Sequence, residues 1–396
     1  MKKKIGMVIG ASADAIHMIN KAKEQDIYVV ALDGNPKAKG LKYADKPINV
    51  DISDIEKVCD MVEKIKPDFL IPVPLGRCLS TIGYVNDKFG FKGVKYKATE
   101  LSVDKYLFHQ RLYNKGLRNI DLYLVNSKSN FDDIKISYPA IMKPRFGSGS
   151  RAIFYISNDD ELLEAYRKVS KLDEDFVLEQ VIEGIEYGVD GVVINGELYM
   201  TFLREKTITP LPERQAISYF SVVNTEENKP LIERVKNKLK KVVKELEYED
   251  CLVQADIMIN DDDVFVIEIA PRPTGHNIHN IFAPTSIGID IGEEYIKFLL
   301  GKSYKFIPDR IKRMQIRYFD FNDVVIKKIP TLDELKSDDD INLIKWNCNI
   351  KVGDYMVKVT DGHSIMGRGF FIVEGKNRED LERQSSHILS KFKTIK

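Results

Sequence analysis

A loop of small residues between two apolar segments constrains the fold of this chain most strongly. Residues 140–142 are apolar and lead into Lys143, and residues 145–151 read Arg-Phe-Gly-Ser-Gly-Ser-Arg. The mostly β-branched and aromatic residues that follow, over 152–156, predict a second strand. Two strands joined by such a loop form a flap whose backbone N–H groups can close over phosphates. With Lys143 at an exposed flap base, the segment indicates a nucleoside triphosphate site.

Considered by itself, the segment allows other interpretations of this loop. Gly147, Gly149 and Ala152 match the loose dinucleotide fingerprint, but that fingerprint needs a helix after the glycines, and a strand pattern follows here. No Gly-x-x-x-x-Gly-Lys-Ser/Thr segment occurs in the chain. An ordinary hairpin with a glycine-rich turn would give the same pattern.

The amino-acid composition limits which classes of partner the protein can bind and in which cellular compartment it is expected. The 396 residues allow two or three domains, and 60 Lys and Arg balance 60 Asp and Glu, which gives no support for nucleic-acid binding or a polybasic membrane anchor. No apolar run approaches the length of a membrane span. The cysteines lie far apart, so we expect buried thiols at Cys59, Cys78, Cys251 and Cys348. A cytoplasmic location fits this cysteine usage.

The N-terminus imitates a secretory signal. Three lysines precede an apolar segment at residues 5–13, but Gly6 and Gly10 interrupt it and Asp14 follows at once. We therefore expect a buried first strand and a turn, with a signal peptide as the alternative.

Residues 1–100 alternate strand and helix patterns. The strand patterns cover 5–9, 28–32 and 69–73, and the helix patterns cover 13–25 and 55–66. Such alternation predicts an open parallel sheet wrapped by helices. The carboxyl ends of the strands in such a sheet face the binding crevice.

Two side chains at those strand ends are candidates for binding. Asp33 could hold a ribose in a dinucleotide fold, but the loop at 10–14 lacks the later glycines, which favours a structural or substrate-side role. Arg77 follows the third strand and could meet an anionic substrate, although a solvated loop arginine fits equally well.

The middle of the chain has the pattern of a small α+β unit. Ser102 is the expected N-cap of a helix that carries Lys105 and extends to about residue 116. After the flap come a predicted helix at 159–170, strands at 176–178 and near 187–194, and an amphipathic helix at 231–247.

An acidic segment follows one of these strands. Residues 179–186 read Glu-Gln-Val-Ile-Glu-Gly-Ile-Glu. Glu and Gln side chains and exposed main chain at a strand end can pair with an adenine edge, and a further carboxylate can hold ribose hydroxyls. A solvated acidic turn is the alternative.

Two later strands predict a hairpin that carries paired carboxylates. The strands cover 254–259 and 264–270, and the short turn between them would place Asp256 opposite Glu268. Two such carboxylates among apolar neighbours repel each other unless a cation lies between them. Hard oxygen ligands suit Mg²⁺, and Arg272 brings a further cation to the same end.

The flap, the acidic strand end and this hairpin, in this order and spacing, resemble the ATP-grasp superfamily. The resemblance implies phosphate contacts for Lys105 and Lys143, adenine recognition by Glu179 and the backbone of Ile182, and a ribose contact for Glu186. It also implies Mg²⁺ ligation by Asp256 and Glu268, and a catalytic role for Arg272 at the transferred phosphoryl group or a substrate carboxylate. The full ATP-binding set that it implies is Lys105, Lys143, Gly147, Ser148, Gly149, Ser150, Glu179, Gln180, Ile182 and Glu186.

One departure from the family pattern leaves the reaction open. Many members place Asn two residues after the metal-binding Glu, and here that residue is Ala270. The Glu-x-Ala-Pro-Arg-Pro segment resembles the branch that carboxylates aminoimidazole ribonucleotide. The alternatives to carboxylate–amine or thiol ligation are therefore carboxylation through carboxyphosphate, a nucleotide-binding module without turnover, and a dinucleotide oxidoreductase.

The resemblance implies a multidomain α/β and α+β chain with three parts. We expect an N-terminal open parallel sheet domain at 1–100, an ATP-grasp domain at 101–300 with its flap subdomain at 139–200, and a C-terminal α+β cap at 301–396. The expected cofactors are ATP and Mg²⁺, with Mn²⁺ as a substitute, and a homodimer is one expected assembly. Small-molecule carboxylate and nucleophile substrates would meet Arg77, Arg204, Arg272 or His276. His276 and His279 fit a hydrogen-bonded loop better than a metal site.

Overall fold

The computed structural model describes residues 3–76, 78–147, 152–210, 214–261, 263–359 and 362–395. The predicted parallel sheet near the N-terminus is confirmed, with strand order β3-β2-β1-β4. Its elements are β1 (Ile5–Ile9), α1 (Ile16–Glu24), β2 (Tyr28–Asp33), β3 (Lys46–Asn49), α2 (Ile55–Ile65), β4 (Phe69–Leu70) and α3 (Leu79–Phe89).

The last strand of this sheet is shorter than the sequence predicts. Ile71 still donates its N–H to the carbonyl of Met7 at 2.8 Å, but β4 ends at Leu70. Pro72 and Pro74 have no N–H to donate, so the strand cannot continue in the ladder.

Two consecutive helices connect this sheet to the flap: α4 (Tyr96–Val103) and α5 (Lys105–Asn114). The prediction that Ser102 caps the second helix is wrong. Ser102 lies inside α4, where its hydroxyl bonds back to the carbonyl of Ala98. Asp104 is the cap, and its carboxylate accepts the backbone N–H groups of Tyr106 and Leu107 at 3.0 and 3.1 Å.

The flap belongs to a four-stranded antiparallel sheet with strand order β5-β8-β6-β7. One helix packs on this sheet through Leu162, Ala165 and Val169, which are buried. The elements are β5 (Leu122–Val125), β6 (Ala140–Pro144), β7 (Phe154–Ile156), α6 (Asp159–Val169) and β8 (Phe176–Gln180).

The remaining strands form one large sheet and a small one. The next elements are β9 (Ile185–Ile194), β10 (Glu197–Ile208), β11 (Ala216–Ser221), α7 (Lys229–Glu245), β12 (Cys251–Ile259), β13 (Val264–Ala270), α8 (Ala283–Ile287) and α9 (Ile291–Leu299). The last are β14 (Met314–Tyr318), β15 (Val324–Lys328), α10 (Leu332–Lys336), β16 (Leu343–Cys348), β17 (Tyr355–Met356), α11 (Gly362–Met366), β18 (Gly369–Glu374), α12 (Arg378–Ser390) and β19 (Lys393–Ile395). Strands β17, β15 and β19 form the small sheet.

The large sheet has strand order β13-β12-β9-β10-β11-β14-β18-β16, so strands on both sides of residue 300 share it. The predicted domain boundaries at residues 100 and 300 remain predictions. Ala255 and Ile257 of β12 are buried in the same core as Leu239 of α7. Because side chains alternate along a strand, Asp256 lies on the opposite face.

The predicted α/β and α+β class is confirmed. Among the described residues, no helix is long and apolar enough to cross a membrane.

Candidate active site

One face of the large sheet carries a row of charged side chains across four neighbouring strands. Asp256 of β12 pairs with Glu268 of β13, as the sequence predicts. On its other side Asp256 pairs with Gly188 of β9, and Gly188 pairs in turn with Arg204 of β10. The row therefore runs Glu268, Asp256, Gly188, Arg204, and the strand order brings the last two to the predicted carboxylate pair.

Gly188 leaves the space in which the Arg204 guanidinium lies. A Cβ atom at this position would be 2.7 Å from Cζ of Arg204. The arginine is 1% exposed and forms an ion pair with Asp190, which also accepts the hydroxyl of Thr274. Burial raises the pKa of Asp190, and attraction to Arg204 opposes that rise. Arg204, predicted as a substrate contact, is thus held by a protein carboxylate, and its contact with substrate remains a prediction.

Replacing Gly188 with alanine should lower the free energy of unfolding by about 1–3 kcal/mol, because the added methyl group overpacks a buried ion pair. Urea unfolding followed by circular dichroism measures the change. Gly34→Ala is the matched control, since a Cβ atom there would meet no atom closer than 3.6 Å. Equal stability of the two variants would contradict the packing described for Arg204.

Lys206 lies next to this row and holds two carboxylates. Its Nζ is 2.7 Å from Oε1 of Glu186 and 2.9 Å from Oδ1 of Asp256. Burial would lower the pKa of Lys206, but Asp256 and Glu186 raise it above its ordinary value. Burial would raise the pKa of Asp256, but Lys206 lowers it below its ordinary value. The cation expected beside Asp256 is therefore supplied, at one oxygen, by a side chain of the protein.

Glu186 is the second acidic partner of this cluster. Besides Lys206 it lies 3.4 Å from Nη2 of Arg214. Glu268, by contrast, forms no ion pair among the described residues. The ribose contact of Glu186 and the metal contacts of Asp256 and Glu268 remain predictions. No group of three or more His, Cys, Asp or Glu side chains within the described ranges could hold a metal ion.

Arg272 lies at the end of β13, between the row and the N-terminal sheet. Its Nη1 donates to the carbonyl of Pro273 at 3.0 Å. Burial lowers the pKa of Arg272, while Glu268, Asp256 and Asp14 act in the opposite direction. These three carboxylates therefore attract the guanidinium, and Asp14 comes from the segment after β1. The row thus meets the carboxyl end of the parallel sheet, where the sequence predicts a binding crevice.

A second charged cluster lies under the flap around Glu179. Its carboxylate forms ion pairs with Lys143 and Arg118, and His109 Nε2 lies 3.3 Å from Oε2. Burial would raise the pKa of Glu179, but Lys143 and Arg118 lower it well below the usual range. The expectation of an exposed Lys143 is wrong, because this lysine is 8% exposed. Strand β6 pairs with β8 and so places Lys143 against Glu179.

Two members of this cluster, His109 and Arg118, are not predicted from the sequence. Both are buried, and burial lowers the pKa of His109 well below its ordinary value, which keeps the imidazole neutral near pH 7. Their roles follow from tertiary packing that local patterns do not contain. The one available signal is that His109 stands four residues after Lys105, so both project from the same side of a predicted helix.

The base of the flap is fixed to the start of α5. Lys105 donates its backbone N–H to the carbonyl of Arg145 at 3.2 Å and its Nζ to the carbonyl of Gly147 at 2.7 Å. The Arg145 guanidinium binds Asp104 at 2.6–2.9 Å and Asp175 at 2.8 Å. Two elements with predicted phosphate contacts, Lys105 and the flap, are therefore joined directly.

Other predicted site residues lie around these clusters. Gln180 ends β8 and Ile182 follows it, both partly buried, and Gly147 has φ +133° at the last described position before the loop. Their contacts with ATP remain predictions. Four predicted residues lie outside the described ranges: Arg77, Ser148, Gly149 and Ser150.

The two histidines after β13 have different environments. His276 is exposed, and its carbonyl accepts the hydroxyl of Tyr318 at 2.6 Å. His279 is buried, its Nδ1 contacts the carbonyl of Thr274, and burial lowers its pKa to about 4. These contacts agree with the hydrogen-bonded loop that the sequence favours over a metal site. A substrate contact for His276 remains a prediction.

Asp33 has the structural role that its sequence context favours. Its Oδ2 accepts the backbone N–H of Ala11 at 2.7 Å, and its Oδ1 accepts that of Asn35 at 2.8 Å. The carboxylate therefore closes the loop after β1 onto the turn after β2.

The clusters around Glu179 and Asp256 both lie in a part of the chain that matches the model of a known protein family. The model of the ATP-grasp domain matches residues 102–276. These residues are an ATP-grasp domain. The match contains Lys105, Lys143, Asp256 and Glu268, and it confirms the resemblance inferred from the flap, the acidic strand end and the hairpin.

The chain is similar to several ligases and synthases. The large chain (C-terminal section) of carbamoyl phosphate synthase from Aquifex aeolicus is 23% identical over 79% of this chain and 59% of its own length. D-Alanine–D-alanine ligase from Campylobacter concisus is 28% identical over 48% of this chain and 57% of its own length. The chain thus spans under two thirds of these curated relatives.

A solved structure extends the similarity in fold to the whole chain. The L-amino acid ligase from Bacillus licheniformis has a TM-score of 0.78 and 16% identity, over 100% of this chain and 99% of that one. At this level of identity the comparison shows that the two chains share a fold.

Proposed function

We propose that this protein is an ATP- and Mg²⁺-dependent, ADP-forming ligase that joins a carboxylate to an amine through an acylphosphate. A thiol is the other nucleophile that fits this chemistry. One observation carries the proposal: inside an ATP-grasp domain, Asp256 and Glu268 face each other beside Arg272. The named activities of the similar ligases support the same reaction class.

The reaction takes two displacements. A carboxylate oxygen of the acid attacks the γ-phosphorus of ATP, the bond to the β,γ-bridging oxygen breaks, and ADP leaves. The amine nitrogen then attacks the acyl carbon, loses a proton, and phosphate leaves with the oxygen that came from the acid. The protein contributes mainly positioning and charge neutralisation in such a reaction.

The charged clusters supply the groups that these steps require. Lys105 and Lys143 would contact the phosphates at the flap base, and Arg272 would bind the transferred phosphoryl group or the substrate carboxylate. Asp256 and Glu268 fit Mg²⁺, since paired carboxylates on adjacent strands offer hard oxygen ligands. Bound Mg²⁺ would neutralise charge on the phosphate oxygens.

An ADP-release screen over pairs of amino acids and small acids tests this proposal. Release that requires both an acid and an amine, in a Mg²⁺-dependent reaction, is the expected result. Release with bicarbonate as the only acid would favour carboxylation, which the Glu-x-Ala-Pro-Arg-Pro segment at 268–273 keeps as the second candidate. ATP binding without ADP release over the whole panel would favour a binding module.

Glu186→Ala should weaken ATP binding more than it slows the chemical step. A ribose contact exists in ground and transition states alike, so its loss should raise the KM for ATP by about tenfold and change kcat by less than about threefold. Steady-state kinetics at saturating acid and amine measure both constants. Glu183→Ala is the control, because Glu183 is exposed on the same segment. A loss confined to kcat would contradict the ribose assignment.

The cytoplasmic location and the homodimer remain predictions from the sequence. Small-molecule substrates are the partners that this reaction class requires.

A further inference from the structure

Lys206 lies on the charged sheet face and has no role in the reaction described above. It lies on β10, its side chain is 6% exposed, and it bridges Glu186 and Asp256. The nearest other cation of the same strand, Arg204, lies on the same face but is held by Asp190 and Thr274. Within the described residues, Lys206 is therefore the cation that forms an ion pair with Asp256.

The Lys206 ammonium lies where it would repel a metal ion that binds without nucleotide. One oxygen of Asp256 is 2.9 Å from the ammonium, so a divalent ion on the same carboxylate would stand within a few ångströms of it. Like charges at such a distance repel strongly in a partly buried site. The buried stem of Lys206 leaves the ammonium little room to withdraw while Glu186 still holds it.

Charge balance leads to the same conclusion. Apart from the Arg204–Asp190 pair, which is neutral overall, four carboxylates face three cations. The carboxylates are Asp14, Glu186, Asp256 and Glu268, and the cations are Lys206, Arg214 and Arg272. Adding a divalent ion alone would leave this cluster with excess positive charge. A triphosphate that carries the ion adds negative charge at the same time, and its oxygens offer the ammonium new acceptors.

We propose that Lys206 excludes divalent metal from Asp256 and Glu268 until nucleotide arrives, so that the metal enters as its complex with the triphosphate. The inference rests on the proposed function, because it takes Asp256 and Glu268 as the metal ligands. It assigns Lys206 as a positioning residue that couples metal binding to nucleotide binding.

Manganese titration of the nucleotide-free protein, followed by electron paramagnetic resonance, tests this inference. Lys206→Met and Lys206→Gln should each bind Mn²⁺ about tenfold or more tightly than the wild type, since the competing charge is gone. Lys206→Gln keeps hydrogen-bonding capacity at the site, and circular dichroism checks that both variants fold. Lys97→Met is the matched control, because it removes one lysine from an exposed pair with Glu247.

Two further Mn²⁺ titrations test whether the change in affinity arises at Asp256 and depends on nucleotide. The double variant Lys206→Met with Asp256→Asn should lose the gain in Mn²⁺ affinity. A non-hydrolysable ATP analogue should tighten Mn²⁺ binding to the wild type far more than to Lys206→Met. Unchanged Mn²⁺ affinity in both single variants would overturn the inference. Failure of the ligase proposal would appear separately, as absent ADP release with the Mn²⁺ pattern intact.

Discussion

Replacing Lys143 with methionine is expected to reduce ADP release by on the order of a hundredfold or more, which is the usual loss when one preorganised charge contact is removed. The structure adds a cost in stability, because Lys143 is buried against Glu179. Arg118 remains to pair with that carboxylate, so the free energy of unfolding should fall by about 1–3 kcal/mol rather than collapse.

Two variants separate the two effects of Lys143. Lys143→Arg keeps the charge and should recover stability more fully than activity, because the planar guanidinium does not reproduce an ammonium. Lys168→Met removes a lysine from an exposed pair with Glu164 on the flap helix α6 and should leave both quantities unchanged. Near-normal ADP release by a folded Lys143→Met protein would refute a role for Lys143 at the phosphates.

Glu268→Gln should be far more damaging than Asp256→Asn. Asp256 already has Lys206 at one oxygen, whereas Glu268 forms no ion pair within the described residues and would have to bridge the metal ions. We expect a loss in kcat on the order of a thousandfold for Glu268→Gln, against a loss of at most about thirtyfold for Asp256→Asn. Each variant should be assayed over a Mg²⁺ series, so that weaker metal binding is distinguished from slower chemistry.

Ala270 sharpens this prediction. It stands two residues after Glu268, where many ATP-grasp proteins have an asparagine oxygen. Mg²⁺ tolerates a missing protein ligand by keeping more of its waters. Metal should then bind weakly without nucleotide, and an active Glu268→Gln enzyme would show that the metal site lies elsewhere.

Local patterns predicted the parts of the site that depend on neighbouring sequence. Asp256 lies opposite Glu268 because a short turn joins their two strands, and the length of that turn fixes the pairing register of the hairpin. The parallel N-terminal sheet was also predictable, because strand and helix periods alternate along the chain.

The contacts that could not be predicted from the sequence depend on the order of strands that are distant along the chain. Lys206 reaches Asp256 because β9 lies between β10 and β12, and no local pattern fixes that order. The burial of Lys143 likewise depends on β8 pairing with β6 across about 35 intervening residues, and so do the contacts of Glu179 with Arg118. Near Ser102 the sequence offers two possible N-caps two residues apart, and the one used, Asp104, also binds Arg145 from the distant flap.

Transfer of a carboxylate oxygen to phosphate tests the central proposal most directly. The acid that supports ADP release would be labelled with ¹⁸O in its carboxyl group, and the phosphate formed with the amine would be analysed by mass spectrometry. An acylphosphate route predicts that each phosphate released carries one oxygen from the acid. Unlabelled phosphate at an equal yield of ADP would contradict this account.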